Sequence, residues 1–176
     1  MTRWLAHDNH VQTTRNAEDR LMGVNQFTYG GRGLALTEQF EGCRLSAYQD
    51  QGGIWTIGYG HTGPEVCTGM TITLEQAQSL LAKDVSNAAA FVNRAVQVEL
   101  TQQEFDALVD FVFNLGAGTF ERSTLLRLLN AGETAAAAAQ FALWDRAGGA
   151  VVAGLLRRRQ AETALFTEGQ GGTESA

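Results

Sequence analysis

Two carboxylic acids and a hydroxyl group stand close together in one Gly-rich stretch of the chain. Glu41 directly precedes Gly42, Asp50 follows nine residues later, and Thr56 follows six residues after that. Such a pair of carboxyl groups suits cleavage of a glycosidic bond, because one can hold a proton for the departing sugar oxygen while the other stays ionised. The ionised group can orient water together with a threonine hydroxyl, or stabilise an oxocarbenium-like transition state. From these residues alone a carboxylate glycosidase is one hypothesis, and ordinary surface acids beside a turn are the alternative.

The residues around these groups predict a helix end followed by a β-hairpin. A short helix over 34–41 can end at Gly42, since glycine adopts backbone conformations with positive φ. The Gly-Gly pair at 52–53 can reverse the chain between two runs with strand character, 45–49 and 54–59. On this prediction the first carboxyl group lies at the helix end. The second carboxyl group and the hydroxyl lie on opposite arms of the hairpin, and all three converge on one cleft.

The same stretch resembles the active-site signature of phage-type lysozymes (endolysins) of glycoside hydrolase family 24. That signature has a Glu, an Asp or Cys nine positions on, a Thr six further, and a TIGYGH-like run. Glu41, Asp50, Thr56 and the run TIGYGH at 56–61 match it without a gap. The resemblance implies that Glu41 is the general acid, and that Asp50 and Thr56 position water or that Asp50 stabilises developing positive charge. It further implies hydrolysis of the β-1,4 bond between N-acetylmuramic acid and N-acetylglucosamine in peptidoglycan, without a cofactor.

A helical segment at 100–118 resembles the second signature of the family, which ends in Phe-Asn-x-Gly. A core helix explains most of its apolar residues. The resemblance implies that Phe113 and Asn114 face the cleft, with a ring for a sugar face and an amide for an N-acetyl group. Three further candidates for substrate binding are Tyr59, His61 and Ser123.

An arginine-rich run, Arg157-Arg158-Arg159, lies with Glu162 on a predicted helix that continues to residue 166. Spacings of three and four residues allow Arg159 or Arg158 to pair with Glu162. The family carries a similar run, in which an arginine reaches the catalytic Glu. The resemblance therefore implies that Arg159, or as second choice Arg158, supports Glu41.

The resemblance implies an α+β, lysozyme-like fold, in which a small α/β lobe with a β-hairpin is joined by a long helix to a larger all-helical lobe. Capping-box patterns at 73–76 and 101–104 indicate two helix starts within it. Helical periodicity predicts a connecting helix whose buried stripe is Leu74, Ala77, Leu81, Val85, Ala88 and Val92. The predicted boundaries are 1–33 for a flexible or loosely packed N-terminal extension, 34–73 for the small lobe, 74–94 for the connecting helix, 95–166 for the helical lobe and 167–176 for a disordered tail.

Composition narrows the class of protein. The chain has 176 residues, is 44% hydrophobic and carries a formal net charge of −6. It can bury a core without disulfides, and its acidity argues against nucleic acid as a partner and against electrostatic capture by a membrane. The first 30 residues contain no apolar run that suits a signal peptide or membrane anchor. Together with this absence, the resemblance implies a monomer that is made in the host cytoplasm, reaches peptidoglycan through a holin-type lesion and acts on the glycan strands there.

Cys43 and Cys67 flank the predicted hairpin. A disulfide between them could form in the periplasm, but two unpaired and partly buried thiols are the favoured interpretation. No Cys or His group has zinc-ligand spacing, so no metal site is expected. For His61, a hydrogen-bonded structural role is favoured over substrate contact.

Three rival hypotheses remain at this point. A lytic transglycosylase would cut the same bond with the sugar's own hydroxyl, would leave a 1,6-anhydro product and would not need Asp50 or Thr56. A non-catalytic glycan-binding module would be expected to lack one of the three site residues. Finally, Glu41 could be only a helix-end charge paired with an arginine.

Overall fold

The chain folds into a short helix, a small antiparallel sheet and then a bundle of helices around one hydrophobic core. A computed structural model describes residues 24–50 and 52–168. The helices are α1 (Gly31–Glu41), α2 (Leu74–Ala95), α3 (Gln102–Leu115), α4 (Ala117–Glu121), α5 (Thr124–Asn130), α6 (Thr134–Gln140) and α7 (Ala153–Glu168), with a 3-10 turn at Phe141–Trp144. The strands are β1 (Arg44–Gln49), β2 (Trp55–Gly58), β3 (His61–Thr62), β4 (Arg146–Ala147) and β5 (Ala150–Val151).

The two capping boxes are confirmed as helix starts. The Thr73 hydroxyl accepts a hydrogen bond from the Gln76 amide at 3.1 Å, and the Gln76 side chain accepts one from the Thr73 amide at 2.8 Å. Thr101 and Glu104 make the same reciprocal pair before α3. The buried stripe of α2 is as predicted except at Leu74, which is 51% exposed. This leucine is the first residue of the helix and lies beyond the core.

Helix α3 lies at the centre of the helical lobe. It packs against α1, α2 and α7, and all residues from 104 to 112 are buried. The sequence predicted only one apolar face for this helix, but neighbours on every side leave no face for solvent. Asp106 and Asp110 are consequently inside the protein, where buried charges need partners. Asp106 accepts hydrogen bonds from the Gly30 amide and the Gln102 side chain, each at 2.8 Å.

The segment before α1 packs on the helical lobe. Asn25 is 3% exposed, and its side chain donates to the carbonyl of Val98 at 2.8 Å. The ring of Phe27 lies 5.4 Å from the ring of Phe105, centroid to centroid. The prediction of a loosely packed extension is therefore wrong for residues 24–33, because these contacts join it to α3 and to the loop before that helix. The rest of that prediction falls on residues outside the described part of the chain, as does most of the predicted tail.

The predicted hairpin is present, together with a third strand that was not predicted. Strands β1 and β2 pair antiparallel, with Tyr48 opposite Thr56, and β3 adds to β2 with His61 opposite Ile57. Gly53 has φ 77° in the connecting turn, a conformation that favours glycine. This sheet packs against α2, the helix that follows it.

A second hairpin follows the alanine-rich helix. The alanine-rich run from 133 to 144 favours one continuous helix, but α6 ends at Gln140 and continues only as the 3-10 turn. Trp144 packs on the core, with its ring 5.8 Å from that of Phe111. Strands β4 and β5 then pair across Gly148 and Gly149.

Candidate active site

Glu41 is the last residue of α1, as predicted. Gly42 ends the helix with φ 66°, and its amide donates to the Glu38 carbonyl at 3.3 Å. The Glu41 side chain is 24% exposed, and its Oε1 accepts a hydrogen bond from Nη1 of Arg158 at 2.5 Å. The other oxygen, Oε2, lies 4.0 Å from the point where Gly60 would carry a Cβ atom. One oxygen of Glu41 therefore binds the arginine, and the other faces the turn between β2 and β3.

Asp50 shapes the hairpin turn with its own side chain. Its Oδ1 accepts hydrogen bonds from the amides of Gly52 at 2.8 Å and Ile54 at 2.9 Å. Among the described residues nothing donates to Oδ2, and the residue is exposed. The turn amides therefore fix the carboxylate while one oxygen stays available for solvent or ligand.

Thr56 lies on the middle strand of the sheet and is 4% exposed. Its hydroxyl donates to the carbonyl of Ile54 at 3.1 Å. Because the hydroxyl proton is engaged there, the oxygen is left to accept hydrogen bonds. The sheet thus carries two oxygen acceptors of the predicted site, and its β2–β3 turn approaches the third residue, Glu41.

A cavity of about 440 Å³ opens beside Glu41. It lies between the end of α1, the end of α3 and the start of α7. The residues that line it are Gln39, Phe40, Glu41, Asn114, Val152, Gly154, Leu155, Arg157 and Arg158. Asp50 and Thr56 are not among the lining residues. We call this space the α1–α7 cavity.

The arginine that contacts Glu41 is Arg158, so the first choice of Arg159 for that contact is wrong. Arg158 also binds Asp110 with two parallel hydrogen bonds of 2.9 Å, from Nε and Nη2. Successive residues on an α-helix point about 100° apart, so only one of two neighbouring arginines can face α1. The other arginine faces into the bundle, where its Nη2 donates to Glu162 at 2.7 Å.

Arg159 also fixes the orientation of Asn114. Its Nη2 donates to Oδ1 of Asn114 at 2.9 Å, which identifies the amide oxygen and leaves the NH₂ group for other acceptors. Arg159 and Glu162 are both 0% exposed. Asn114 therefore presents a donor to the α1–α7 cavity, consistent with its predicted place near the cleft.

The buried cluster brings three carboxyl groups, Glu41, Asp110 and Glu162, against two guanidinium groups. Burial raises the pKa of Glu162 well above its ordinary value, and the negative charge of Asp110 adds to this effect. Burial opposes ionisation of Asp110 too, but the hydrogen bonds and charge of Arg158 outweigh it and lower the pKa of Asp110. Burial therefore favours the protonated form of Glu162, whereas Arg158 favours the ionised form of Asp110.

His61 is held by two carboxylates rather than exposed to a cleft. It is 7% exposed, with Nδ1 2.8 Å from Asp84 and Nε2 3.0 Å from Glu65. Burial alone would lower the pKa of His61, but the hydrogen bonds and charges of the two carboxylates raise it. This is the structural role that the sequence analysis favoured over substrate contact.

Three other predicted substrate-binding residues lie outside the lining of the α1–α7 cavity. Tyr59 is 7% exposed, and burial raises its pKa. Phe113 is half-buried and packs on the core. Ser123 is 6% exposed, and its hydroxyl accepts from the amide of Leu126 at 3.1 Å. The Ser123 side chain caps the start of α5, and its role in substrate binding stays a prediction.

Cys43 and Cys67 are both free and exposed. The alternative of a disulfide is therefore wrong for this structure, and so is the expectation of partial burial. Within the described ranges, no three His, Cys, Asp or Glu side chains form a group that could hold a metal ion. Nor is any helix there long and apolar enough to cross a membrane.

Sequence analysis missed the buried acid that holds Arg158. Asp110 accepts hydrogen bonds from that arginine and, at 2.7 Å, from the hydroxyl of Thr37 on α1. The available signal was the pair of aspartates four residues apart in an otherwise apolar helix. Acids at such positions need a cation, and the arginine-rich run supplies it.

The chain is similar in sequence and fold to phage endolysins and to a muramidase domain. The phage lysozyme family matches residues 38–162. An endolysin of Bacillus phage PZA is 46% identical over 139 residues, covering 78% of this chain but 54% of that protein, so the chain spans about half the length of this relative. An endolysin of Salmonella phage P22 is 44% identical over 138 residues, covering 76% of this chain and 94% of the relative. The solved muramidase domain of SpmX from Asticaccaulis excentricus has a TM-score of 0.75 and 39% identity, covering 80% of this chain and 98% of that one.

The predicted α+β, lysozyme-like fold is confirmed by these similarities. The predicted enzyme class, a glycoside hydrolase of the lysozyme type, is confirmed at the level of the family. With a family match over most of its length and relatives above 40% identity, the chain belongs to the phage lysozyme family.

Proposed function

We propose that the chain is an endolysin that hydrolyses the β-1,4 bond between N-acetylmuramic acid and N-acetylglucosamine of bacterial peptidoglycan, and thereby lyses the host cell. The observation that carries this proposal is the position of Glu41, a partly buried carboxyl group between the α1–α7 cavity and the sheet of Asp50 and Thr56. The relatives named endolysins and the muramidase domain support the choice of substrate.

In this proposal Glu41 is the general acid. Its Oε1 binds Arg158, so Oε2 is the oxygen that carries the proton and passes it to the glycosidic oxygen as the bond breaks. Arg158 holds the side chain in one orientation. The bidentate bond to Asp110 compensates the arginine's charge, so the guanidinium does not act on Glu41 alone.

Asp50 and Thr56 position the attacking water. The turn amides donate only to Oδ1 of Asp50, so Oδ2 is free to accept a hydrogen bond. The Thr56 hydroxyl donates its hydrogen to the Ile54 carbonyl, so its oxygen can accept one as well. A water that donates one hydrogen to each keeps a lone pair for the anomeric carbon. The roles proposed for these residues use neither a metal nor a cofactor.

The proposal places the enzyme at the cell wall. The chain would be made in the host cytoplasm, reach the peptidoglycan after a separate membrane lesion and act as a monomer on glycan strands. Its formal net charge of −6 means that contacts in the cleft, rather than overall charge, must supply affinity for an anionic wall.

Mass analysis of the products from purified peptidoglycan tests the proposal. Pure protein is expected to release fragments that end in a reducing N-acetylmuramic acid, each carrying one added water. Fragments ending in a 1,6-anhydro sugar would be lighter by one water and would identify a lytic transglycosylase instead. Asp50→Asn and Thr56→Val separate the two further, since hydrolysis should fall in both variants while a transglycosylase would not need these groups. Intact peptidoglycan after exposure to the pure protein would refute both.

A further inference from the structure

We propose that the α1–α7 cavity binds a carboxylate of the peptide stem attached to peptidoglycan, and that Arg157 is the residue that selects for it. This inference rests on the proposed function and names the part of the substrate that the cavity takes. It makes Arg157 a specificity-determining residue rather than a catalytic one.

The position of the cavity indicates a substituent rather than the reacting bond. Glu41 contributes to its wall, but Asp50 and Thr56 do not. The bond to be cut must lie where Glu41 and the two acceptors on the sheet can reach it together. The cavity is instead lined by the ends of α1 and α3 and the start of α7, and its volume of about 440 Å³ is in the range of ligand sites. A group carried by the sugar next to the bond would enter it.

The charges in the cavity favour an anion. Glu41 and Asp110 both pair with Arg158. Arg157 also lines the cavity and is exposed, and within the described ranges no carboxylate lies in salt-bridge distance of it. The unpaired charge in the cavity lining is therefore positive, although the chain as a whole is acidic. A guanidinium group binds a carboxylate with two parallel hydrogen bonds.

The remaining lining suits a peptide better than a bare sugar. Asn114 offers its amide NH₂ group, since Arg159 takes the amide oxygen. Phe40, Val152 and Leu155 supply apolar surface. Gly154 leaves the wall open, because a Cβ atom there would meet nothing within 4 Å. Two donors beside apolar side chains match the carbonyl, carboxylate and alkyl groups of a peptide.

Peptidoglycan carries such carboxylates on its stem peptides. The sugars themselves are neutral, and the lactyl carboxyl of N-acetylmuramic acid is converted to an amide where a stem is attached. The free carboxylates of an intact strand therefore belong to the stem. An anion site beside the cleft would recognise strands that bear peptides.

The test compares kcat/KM on three substrates made from one preparation of glycan strands. The first carries unmodified stems, the second has its stem carboxylates converted to amides, and the third has the stems removed by an amidase, which leaves the lactyl carboxylate. Arg157→Gln is compared with wild type. Arg94→Gln is the matched control, since Arg94 is also exposed but lies on α2 outside the cavity. Thermal melting checks that both variants fold.

Wild type should prefer unmodified over amidated strands by roughly ten-fold, the effect of one charged hydrogen bond. Arg157→Gln should lose this preference, because its kcat/KM on unmodified strands should fall to the value for amidated strands. Arg94→Gln should keep the preference. On stripped strands wild type and Arg157→Gln should be equal. Equal wild-type rates on unmodified and amidated strands, or an Arg157→Gln variant that keeps the preference, would overturn the inference while leaving the hydrolase intact. A difference between the two proteins on stripped strands would show that Arg157 binds the lactyl carboxylate rather than the stem, and this too would overturn the inference. Failure of wild type on all three substrates would overturn the proposed function itself.

Discussion

Neutralising Asp110 should destabilise the protein strongly, because it removes half of a buried ion pair. Asp110 is 0% exposed and Arg158 is 4% exposed, and two hydrogen bonds of 2.9 Å join them. In Asp110→Asn the side chain keeps its size, but an NH₂ group or a neutral oxygen must face the guanidinium. The partners left to Arg158 are Glu41, which is 24% exposed, and Glu162, whose Oε1 lies 3.7 Å from Nε of the arginine.

The expected magnitude follows from that burial. Breaking a buried pair by removing one partner destabilises proteins by about 3–5 kcal/mol. The remaining bond to Glu41 places the present case at the low end, about 3 kcal/mol, which corresponds to a melting temperature lower by roughly 6–12 °C for a chain of this size. Activity should fall as well, since Arg158 then loses the partner that holds it beside Glu41.

Urea unfolding followed by circular dichroism gives the free energy of unfolding for each variant. Glu168→Gln is a suitable control, because it makes the same carboxylate-to-amide change in the pair with Arg32, whose side chains are 58% and 51% exposed. That variant should lose less than about 1 kcal/mol. A double-mutant cycle of Asp110→Asn with Arg158→Met should show a coupling of roughly 1–3 kcal/mol. A loss below about 1 kcal/mol for Asp110→Asn, or additive effects in the cycle, would refute the reasoning.

Two further predictions concern residues near the sheet and the start of α5. Hydrogen bonds to Glu65 and Asp84 raise the pKa of His61 despite its burial, so the protonated form is favoured in the folded state. Its stabilisation should be complete below the unfolded pKa of about 6.5 and should be lost as the pH rises through the folded value. Melting temperatures of wild type should fall over that window and those of His61→Asn should fall less; parallel curves would contradict this. Ser123→Ala should lose about 1 kcal/mol of stability through its missing helix cap but keep kcat/KM unchanged. A variant that melts normally but cleaves poorly would show that Ser123 contacts substrate after all.

Short-range patterns predicted the parts of the fold that local hydrogen bonds define. The Thr73 and Thr101 capping boxes depend on residues three positions apart, and they gave the starts of α2 and α3. The Gly-Gly pair at 52–53 predicted the first hairpin, because a tight turn also depends on residues that are close in the sequence. The pair at 148–149 did not reveal the second hairpin, because each of its strands has only two residues and carries no pattern.

These short-range patterns could not predict contacts between segments that are distant in the sequence. Asn25 binds residues more than 70 positions away, so nothing near it in the sequence predicts its burial. The choice between Arg158 and Arg159 depends on how α7 is rotated against α1, and the contact with Glu41 joins residues 117 positions apart. The burial of Asp110 likewise follows from the three helices that surround α3. Ser123 is different, since a serine before an apolar helix is itself a cap signal and could have been interpreted so.

The most direct test of the account is the turnover of purified peptidoglycan by Glu41→Gln. Glutamine keeps the size of the side chain but has no proton to give to the departing sugar oxygen. We predict that kcat falls by about 100-fold or more, as for loss of a general acid, while binding to the strands is retained. Glu38→Gln, one turn earlier on α1, should keep wild-type activity. A Glu41→Gln variant that cleaves peptidoglycan at the wild-type rate would show that Glu41 is only a helix-end charge and would contradict the account.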